Sequence, residues 1–402
     1  MPQIRQFPLN QQQTEAVEWC DDHELVLAGA GSGKTRVLAA KIAYLIREKK
    51  VLPWRILAMT FTNKASREML ERVQSMVGDD LRGMQVSTFH SWGLRFLMRH
   101  RDALASLGYP SGFVVFDRGD SNGLVKKIAR ELGAATKEYG SMMENISSAY
   151  TNCDPLTFEA EISEKMRPIY ERYRAALRAQ GALDFDDLMI LPLHLLSSDA
   201  ETLEAERMRT DWVLVDEYQD VNAPQYMLLK LLVGDRGRLM AVGDPDQSIY
   251  GWRGADISLI MNFEADFPGA RVVPLDRNYR STGNILAAAN SVIKHNFGRR
   301  EKNLWTSEGE GEPVRVLCAR NDVEEAEFLA GEIERLYAEG RSYGDMCILY
   351  RMNALSRGYE QALLERGIPH RIIRGVAYFE RKEIKDVMAM LRLAVNPRDA
   401  TS

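Results

Sequence analysis

The stretch ELVLAGAGSGKTRVLAAKIAYLI, residues 24–46, carries three successive patterns. Glu24 to Ala28 is a short apolar run of strand length. Ala28, Gly29, Ala30, Gly31, Ser32, Gly33, Lys34 and Thr35 form a glycine loop closed by Lys-Thr. From Lys34 to Ile46 the apolar residues Val37, Leu38, Ile42 and Leu45 fall at helical spacing. A strand that enters a helix through such a loop is the context a phosphate-binding loop requires. Gly29, Gly31 and Gly33 let backbone N–H groups turn inward around phosphate oxygens, at a helix N-terminus that favours anions. Lys34 would reach the β- and γ-phosphates, and Thr35 would ligate Mg2+. Ala28 stands where the general pattern has glycine.

Further along the chain the same alternation repeats. RILAMTFTN, MQVSTFHS, DWVLVDEYQD and RLMAVGD read as four more strands, most of them separated by helical stretches. Strands alternating with helices predict βαβ units and a mostly parallel sheet covered on both faces. Between Arg101 and Leu183 this rhythm lapses into a mainly helical region, whose clearest amphipathic stretch is EAEISEKMRPIYERYRAALRAQG. After about Leu275 a second α/β unit begins. It runs through VRVLCAR, a helix over DVEEAEFLAGEIERLYAEG, DMCILYR, a helix over SRGYEQALLERG, HRIIRG and a helix over KEIKDVMAMLRLAV.

A chain of 402 residues suits two or three domains, and 45% hydrophobic with 27% charged residues is ordinary for a soluble globular protein. The net charge of -5 argues against a membrane surface and against a generally basic nucleic-acid binder, but a local basic stripe is enough to hold DNA. Cys20, Cys153, Cys318 and Cys347 have no paired spacing, so they read as buried small hydrophobes in a reducing compartment rather than as a disulfide frame or zinc site. The N-terminus lacks the apolar run of a signal peptide, and no segment has the apolar length to span a bilayer; a cytoplasmic protein is expected.

A phosphate loop needs an acidic partner for its metal. VLVDEYQD supplies Asp216 and Glu217 at the end of a buried strand: Asp216 would hold Mg2+ and Glu217 would polarise the attacking water. Phosphoryl transfer also needs positive charge at the γ-phosphate, and LDRNYRS, residues 275–281, offers arginines. In LDFDDL, Asp184, Asp186 and Asp187 read better as acids in the first turn of a helix than as a metal site. Lys126, Lys127 and Arg130 fit a plain solvated helix face.

Nine strings in order resemble the UvrD/Rep/PcrA group of superfamily 1A DNA helicases: LNQQQTEAV, AGAGSGKTR, AMTFTNKASREM, STFHSWGLRFL, LDFDDL, LVDEYQD, VGDPDQSIYGWRGA, LDRNYRS and ILYRMNALSRGYE. The resemblance covers nearly the whole chain. It implies a RecA-like motor domain over 1–100 and 184–274, a helical insertion over 101–183, and the N-terminal part of a second RecA-like domain over 275–402. It implies ATP and Mg2+ as cofactors. It further implies that Gln13 reads the adenine edge, Arg36 flanks the adenine, Tyr279 stacks on it, Gln247 contacts the γ-phosphate and Arg280 acts as an arginine finger. Gln11-Gln12 replaces the Pro-Glu that usually precedes that glutamine.

By the same resemblance Thr60, Phe61, Asn63, Lys64, Thr88, Phe89 and His90 would line a nucleic-acid track, and Tyr250, Trp252 and Arg253 would form stacking platforms and a backbone contact. Such a track suits single-stranded DNA, because every base has a π-face. Core packing is the competing reading for Phe61, Phe89 and Trp252. The implied partners are single-stranded DNA, single-strand/duplex junctions and repair or replication proteins, in the cytoplasm at the bacterial nucleoid. The implied activity is ATP-dependent 3′–5′ translocation and unwinding. Two late family motifs, Thr-x-His-x-x-Lys-Gly-Leu-Glu and Val-Ala-x-Thr-Arg-Ala, do not occur in the chain. An N-terminal portion with weak nucleotide binding, slow hydrolysis and no productive unwinding is therefore expected. The alternatives are a nucleotide-gated module without productive turnover and a phosphate-loop ATPase that does not act on nucleic acid.

Overall fold

A computed structural model describes residues 8–373, except 79–80, 111, 135–141, 153–155, 158, 160–161, 297–299 and 301, together with 387, 388 and 390. The chain divides into two compact units, residues 1–312 with 392–402, and residues 313–391.

The first unit is built on six parallel strands: β1 (Glu24–Ala28), β2 (Ile56–Thr60), β3 (Gln85–Thr88), β6 (Trp212–Val215), β7 (Arg238–Gly243) and β8 (Arg271–Leu275). Their order is β3-β2-β6-β7-β1-β8. Two-residue strands β4 (Val114–Val115) and β5 (Ala182–Leu183) pair separately in the insertion. β2 and β6 are buried along their whole length, as strands covered on both faces must be. The five strands read from the phosphate loop and its repeats all form. β8, an edge strand that contains Pro274, was not anticipated; it pairs with β1 along its whole length, from Glu24 opposite Arg271 to Ala28 opposite Leu275. Residues 275–312, expected to open the second unit, pack with the first.

Helices α1 (Gln11–Glu18), α2 (Lys34–Arg47), α3 (Asn63–Val77) and α4 (Phe89–Arg99) flank the sheet. α1 starts on a capping box between Asn10 and Gln13. Buried Lys41 of α2 donates to the carbonyls of Ala16, at 3.2 Å, and Trp19, and to Glu24 Oε2 at 3.4 Å. One ammonium thus ties α1, β1 and α2 together. The insertion is helical, with α5 (Arg118–Glu131), α6 (Met142–Asn152) and α7 (Arg167–Gln180), followed by α8 (Asp187–Ser198). At the start of α8, Asp184 and Asp187 accept each other's backbone N–H at 2.9 and 3.1 Å, and Arg174 pairs with Asp187 at 2.5 Å. These acids are occupied by capping and ion pairing, and no metal-binding cluster exists among the described residues.

The second unit packs α11 (Asp322–Ala338) on α12 (Ser356–Glu365), numbered after α9 (Ala223–Val233) and α10 (Gly283–Ile293). Its helices match expectation. Its strands do not: the described residues of VRVLCAR, DMCILYR and HRIIRG carry no ladder. Val316 and Leu349 are 89% and 90% exposed. An extended apolar segment becomes a strand only when a neighbouring backbone accepts its hydrogen bonds, and none does so among the described residues. Cys318 and Cys347, expected to be buried, are exposed on these segments. The helix expected over KEIKDVMAMLRLAV lies almost wholly outside the described residues. No described helix is long and apolar enough to cross a membrane.

Candidate active site

Because all six strands are parallel, their C-terminal ends share one edge, the place where open α/β sheets hold ligands. The glycine loop leaves β1, Thr60 ends β2, Thr88 ends β3, Asp216 and Glu217 follow β6, Asp244 to Gln247 follow β7, and Arg277 to Arg280 follow β8.

Within the loop, Gly31 takes φ 68° and Gly33, the residue capping α2, takes φ 93°. Both are left-handed conformations that glycine reaches without strain. A Cβ on Gly31 would also lie 2.6 Å from Asn278 Nδ2. That side chain donates to the Ala30 carbonyl at 2.6 Å, while its Oδ1 accepts from the backbone N–H of Arg280 and Ser281. The backbone N–H of Tyr279 donates to the Gly31 carbonyl at 2.9 Å. Gly29 serves differently from expectation: its φ is not left-handed, and its missing side chain makes room for Leu304, which a Cβ would meet at 2.3 Å.

At the first residue of α2, Lys34 Nζ donates to Glu217 Oε2 at 2.6 Å and to Gln247 Oε1 at 3.4 Å. Three residues predicted for the γ-phosphate region, from three different strands, therefore meet at one ammonium. Glu217 is held in the left-handed conformation, φ 50° and ψ 45°, and its Oε2 also accepts from Gln219 Nε2 at 2.9 Å. Gln219 is buried, and its Oε1 accepts from the backbone N–H of Asp244 at 2.8 Å. It bolts the end of β6 to the end of β7. Asp216 is buried, and burial followed by the neighbouring Glu217 pushes its carboxyl up to about 6. Burial and Glu217 likewise push Asp220 up to about 6. A doubly charged cation beside Asp216 would favour its ionised form, so the donor chemistry fits Mg2+. Thr35 is half-buried on the first turn of α2.

The residues expected to face the base make contacts within the protein. Gln13 is fully buried: its Nε2 donates to the Ser32 carbonyl at 2.9 Å and its Oε1 accepts from the Asn10 N–H at 3.0 Å. It braces the loop against α1. Tyr279 is 38% exposed, its hydroxyl accepting from Asn10 Nδ2 at 2.8 Å, with the Arg277 guanidinium 4.8 Å over its ring. Arg36 is half-buried and Arg280 exposed.

The residues expected along a nucleic-acid track divide by exposure. Thr60 is buried and its hydroxyl pairs with Ser66 at 2.7 Å; Phe89 is buried, edge-on to Phe61 at 5.9 Å; Thr88 caps α4 by accepting from the Ser91 N–H at 3.2 Å. Core packing and capping account for these three. Asn63, Lys64 and His90 are exposed and Phe61 is half-buried. Trp252 is 72% exposed, with the Arg253 guanidinium 4.5 Å over its ring and 5.3 Å over that of Tyr250. The loop bearing them is fixed at both ends: Gln219 grips Asp244, and the Asp256 N–H donates to the Val221 carbonyl at 3.0 Å.

Residues 9–268 match the sequence model of the UvrD/REP helicase N-terminal domain, and residues 273–402 match that of the UvrD-like helicase C-terminal domain. The chain belongs to the UvrD/REP helicase family. It is similar to the ATP-dependent DNA helicase PcrA of Bacillus subtilis (strain 168), at 44% identity over 98% of this chain and 54% of the relative. It is also similar to the proteins of that name from Staphylococcus epidermidis, at 41% over 98% and 55%, and from Leuconostoc citreum, at 40% over 97% and 53%. The chain thus spans about half the length of the curated relatives it matches. The match over 273–402 to the C-terminal domain model does not support the expectation of an N-terminal portion lacking the family's C-terminal motifs, and nothing in these relationships supports the expected impairment of turnover and unwinding.

Proposed function

We propose that this UvrD/REP family chain is the ATP-driven part of a DNA translocase that moves 3′ to 5′ on a single strand and unwinds at junctions with duplex, serving repair or replication restart in the bacterial cytoplasm, at the nucleoid. The observation that carries the reading is the meeting of Lys34, Glu217 and Gln247 at the C-terminal edge of one parallel sheet, beside a buried Asp216. ATP would lie on the glycine loop, with Lys34 leaving Glu217 for the β- and γ-phosphates. The freed Glu217 carboxylate would accept a proton from the attacking water. Thr35 and Asp216 would hold Mg2+, which neutralises developing phosphate charge. Arg280 would add charge at the γ-phosphate, while Arg36 and Tyr279 would bound the adenine. Gln13 would act by bracing the loop as well as by reading the base.

The strand path would run over Phe61, Asn63, Lys64 and His90 at the ends of β2 and β3, and over Tyr250, Trp252 and Arg253. Thr60, Thr88 and Phe89 would support it from beneath. We keep the division into a motor domain over 1–100 and 184–274, an insertion over 101–183 and a second motor segment from 275 as part of this reading.

The test is ATP turnover by the 402-residue chain with and without single-stranded DNA, beside a Lys34→Ala variant. Stimulation by DNA that the variant abolishes supports the reading. Turnover indifferent to DNA would point to an ATPase of another kind. DNA binding that responds to nucleotide without turnover would favour a nucleotide-gated module.

A further inference from the structure

Lys302 lies between Arg300, whose guanidinium bonds the Met261 carbonyl and Glu264, and Leu304, which packs on Gly29. Its side chain is 11% exposed and inserts between two carboxylates: its ammonium bonds Asp244 Oδ1 and lies 3.1 Å from Asp246 Oδ2. Both carboxylates are nearly buried, at 3% and 9% side-chain exposure. Two buried like charges at one turn are costly without a cation. The other oxygen of Asp244, Oδ2, accepts from Gln247 Nε2 at 2.6 Å. Gln247 Oε1 in turn faces Lys34 at 3.4 Å.

We propose that Lys302 is a positioning residue for nucleotide hydrolysis, acting through Asp244 to fix which way the Gln247 amide faces. An ionised carboxylate can only accept, so it forces the amide N–H2 toward itself and the amide oxygen toward Lys34. With one N–H on Asp244, the amide keeps a second for a phosphate oxygen. Without the Lys302 ammonium, the Asp244 carboxylate loses the cation that holds it in place beside Asp246. An Asp244 carboxylate that swings away no longer fixes the amide, which can then turn its N–H2 toward the Lys34 ammonium, donor against donor. The geometry also joins the segment after α10 to the turn after β7, so the chain following Asn278 is fastened at the phosphate end of the sheet by a charge rather than by apolar packing alone.

This inference rests on the reading of Gln247 as a phosphate-facing group, and the experiment separates the two. Steady-state turnover with saturating single-stranded DNA is measured for Lys302→Met, Lys302→Arg, Gln247→Ala and the double variant Lys302→Met/Gln247→Ala, with thermal unfolding of each. Lys302→Met is expected to lower kcat about 10- to 100-fold with a much smaller change in KM for ATP. Lys302→Arg recovers most of the loss. In the double variant, the lysine substitution adds less than about twofold to the loss from Gln247→Ala. Gln247→Ala with unaltered turnover overturns the reading of Gln247 itself. An impaired Gln247→Ala beside a fully active Lys302→Met, or losses that multiply in the double variant, overturns the role of Lys302 alone. Should Lys302→Met fail to fold, Lys302→Gln takes its place in the same cycle and is read by the same criteria.

Discussion

The two flanks of the first unit's sheet edge are built on opposite terms. On the nucleotide flank, at the ends of β6, β7 and β1, charged groups are internally engaged: Lys34 on Glu217, Gln247 on Asp244, Lys302 on Asp244 and Asp246. On the strand flank, large groups stand in solvent: Trp252 at 72% exposure, with Asn63, Lys64 and Arg253 exposed. A ligand on the first flank must exchange one set of strong contacts for another, so under the proposed function orientation and hydrolysis would be decided there. A ligand on the second simply covers rings and neutralises charge, which gives affinity with little demand on shape.

The strongest way to break this contrast is Lys34→Ala. ATP turnover is expected to fall by about 10^3-fold, while single-strand affinity changes by less than about twofold, because the flanks share no side chain. A loss of DNA affinity equal to the loss of turnover, in a fluorescence anisotropy titration, would merge the two flanks into one.

Asp216→Asn tests the buried carboxylate by opposing its two roles. Turnover should be abolished, yet the variant should be more stable than the parent at pH 8. The carboxyl is raised to about 6 from 3.8, so the folded protein binds its proton more tightly than the unfolded chain does. Stability is therefore lost as pH rises through the window from about 4 to about 6, and the full cost, up to about 3 kcal/mol, is present above it. Asparagine removes that titration while keeping an oxygen for the Glu217 N–H. Denaturant unfolding at pH 8 and pH 4 is the measurement, with the gap between variant and parent closing at the lower value.

Trp252→Ala sharpens the other side. It should weaken single-strand binding by about 1–3 kcal/mol and shift folding stability by less than about 0.5 kcal/mol. A fall in melting temperature without loss of affinity would return Trp252 to the role of a packing residue. The smallest effect belongs to Lys64→Ala. Its ion pair with Glu68, at 3.6 Å, is exposed and contributes almost nothing to stability. Loss of one phosphate contact should reduce the salt dependence of single-strand binding by about 0.7 in logarithmic slope.

The parts of this molecule that were readable from its sequence are those in which a local pattern does the work. A strand, a glycine loop and a helix at 24–46 fix their own geometry, and the buried strands before Asp216 and Asp244 announce themselves as apolar runs. Gln219, Asn278 and Lys302 were not readable, because each matters through a partner far away in the chain: Asp244, Ala30 and again Asp244. Gln13 was found, but its burial was not, since α1 is fixed by the distant Ser32 carbonyl. Periodicity also overstated the second unit. VRVLCAR and DMCILYR have strand composition, but composition supplies no hydrogen-bonding neighbour.

Under the proposed function, Glu217 sets backbone comfort against chemistry at a single residue. Its φ of 50° lies where an L-residue with a side chain pays about 1 kcal/mol or more, and where glycine or asparagine sits more easily. The substitutions that would relax this turn are therefore those that discard the carboxylate. If Glu217 is the proton acceptor proposed above, relief of this turn by glycine or asparagine would discard that acceptor together with its 2.6 Å contact to Lys34.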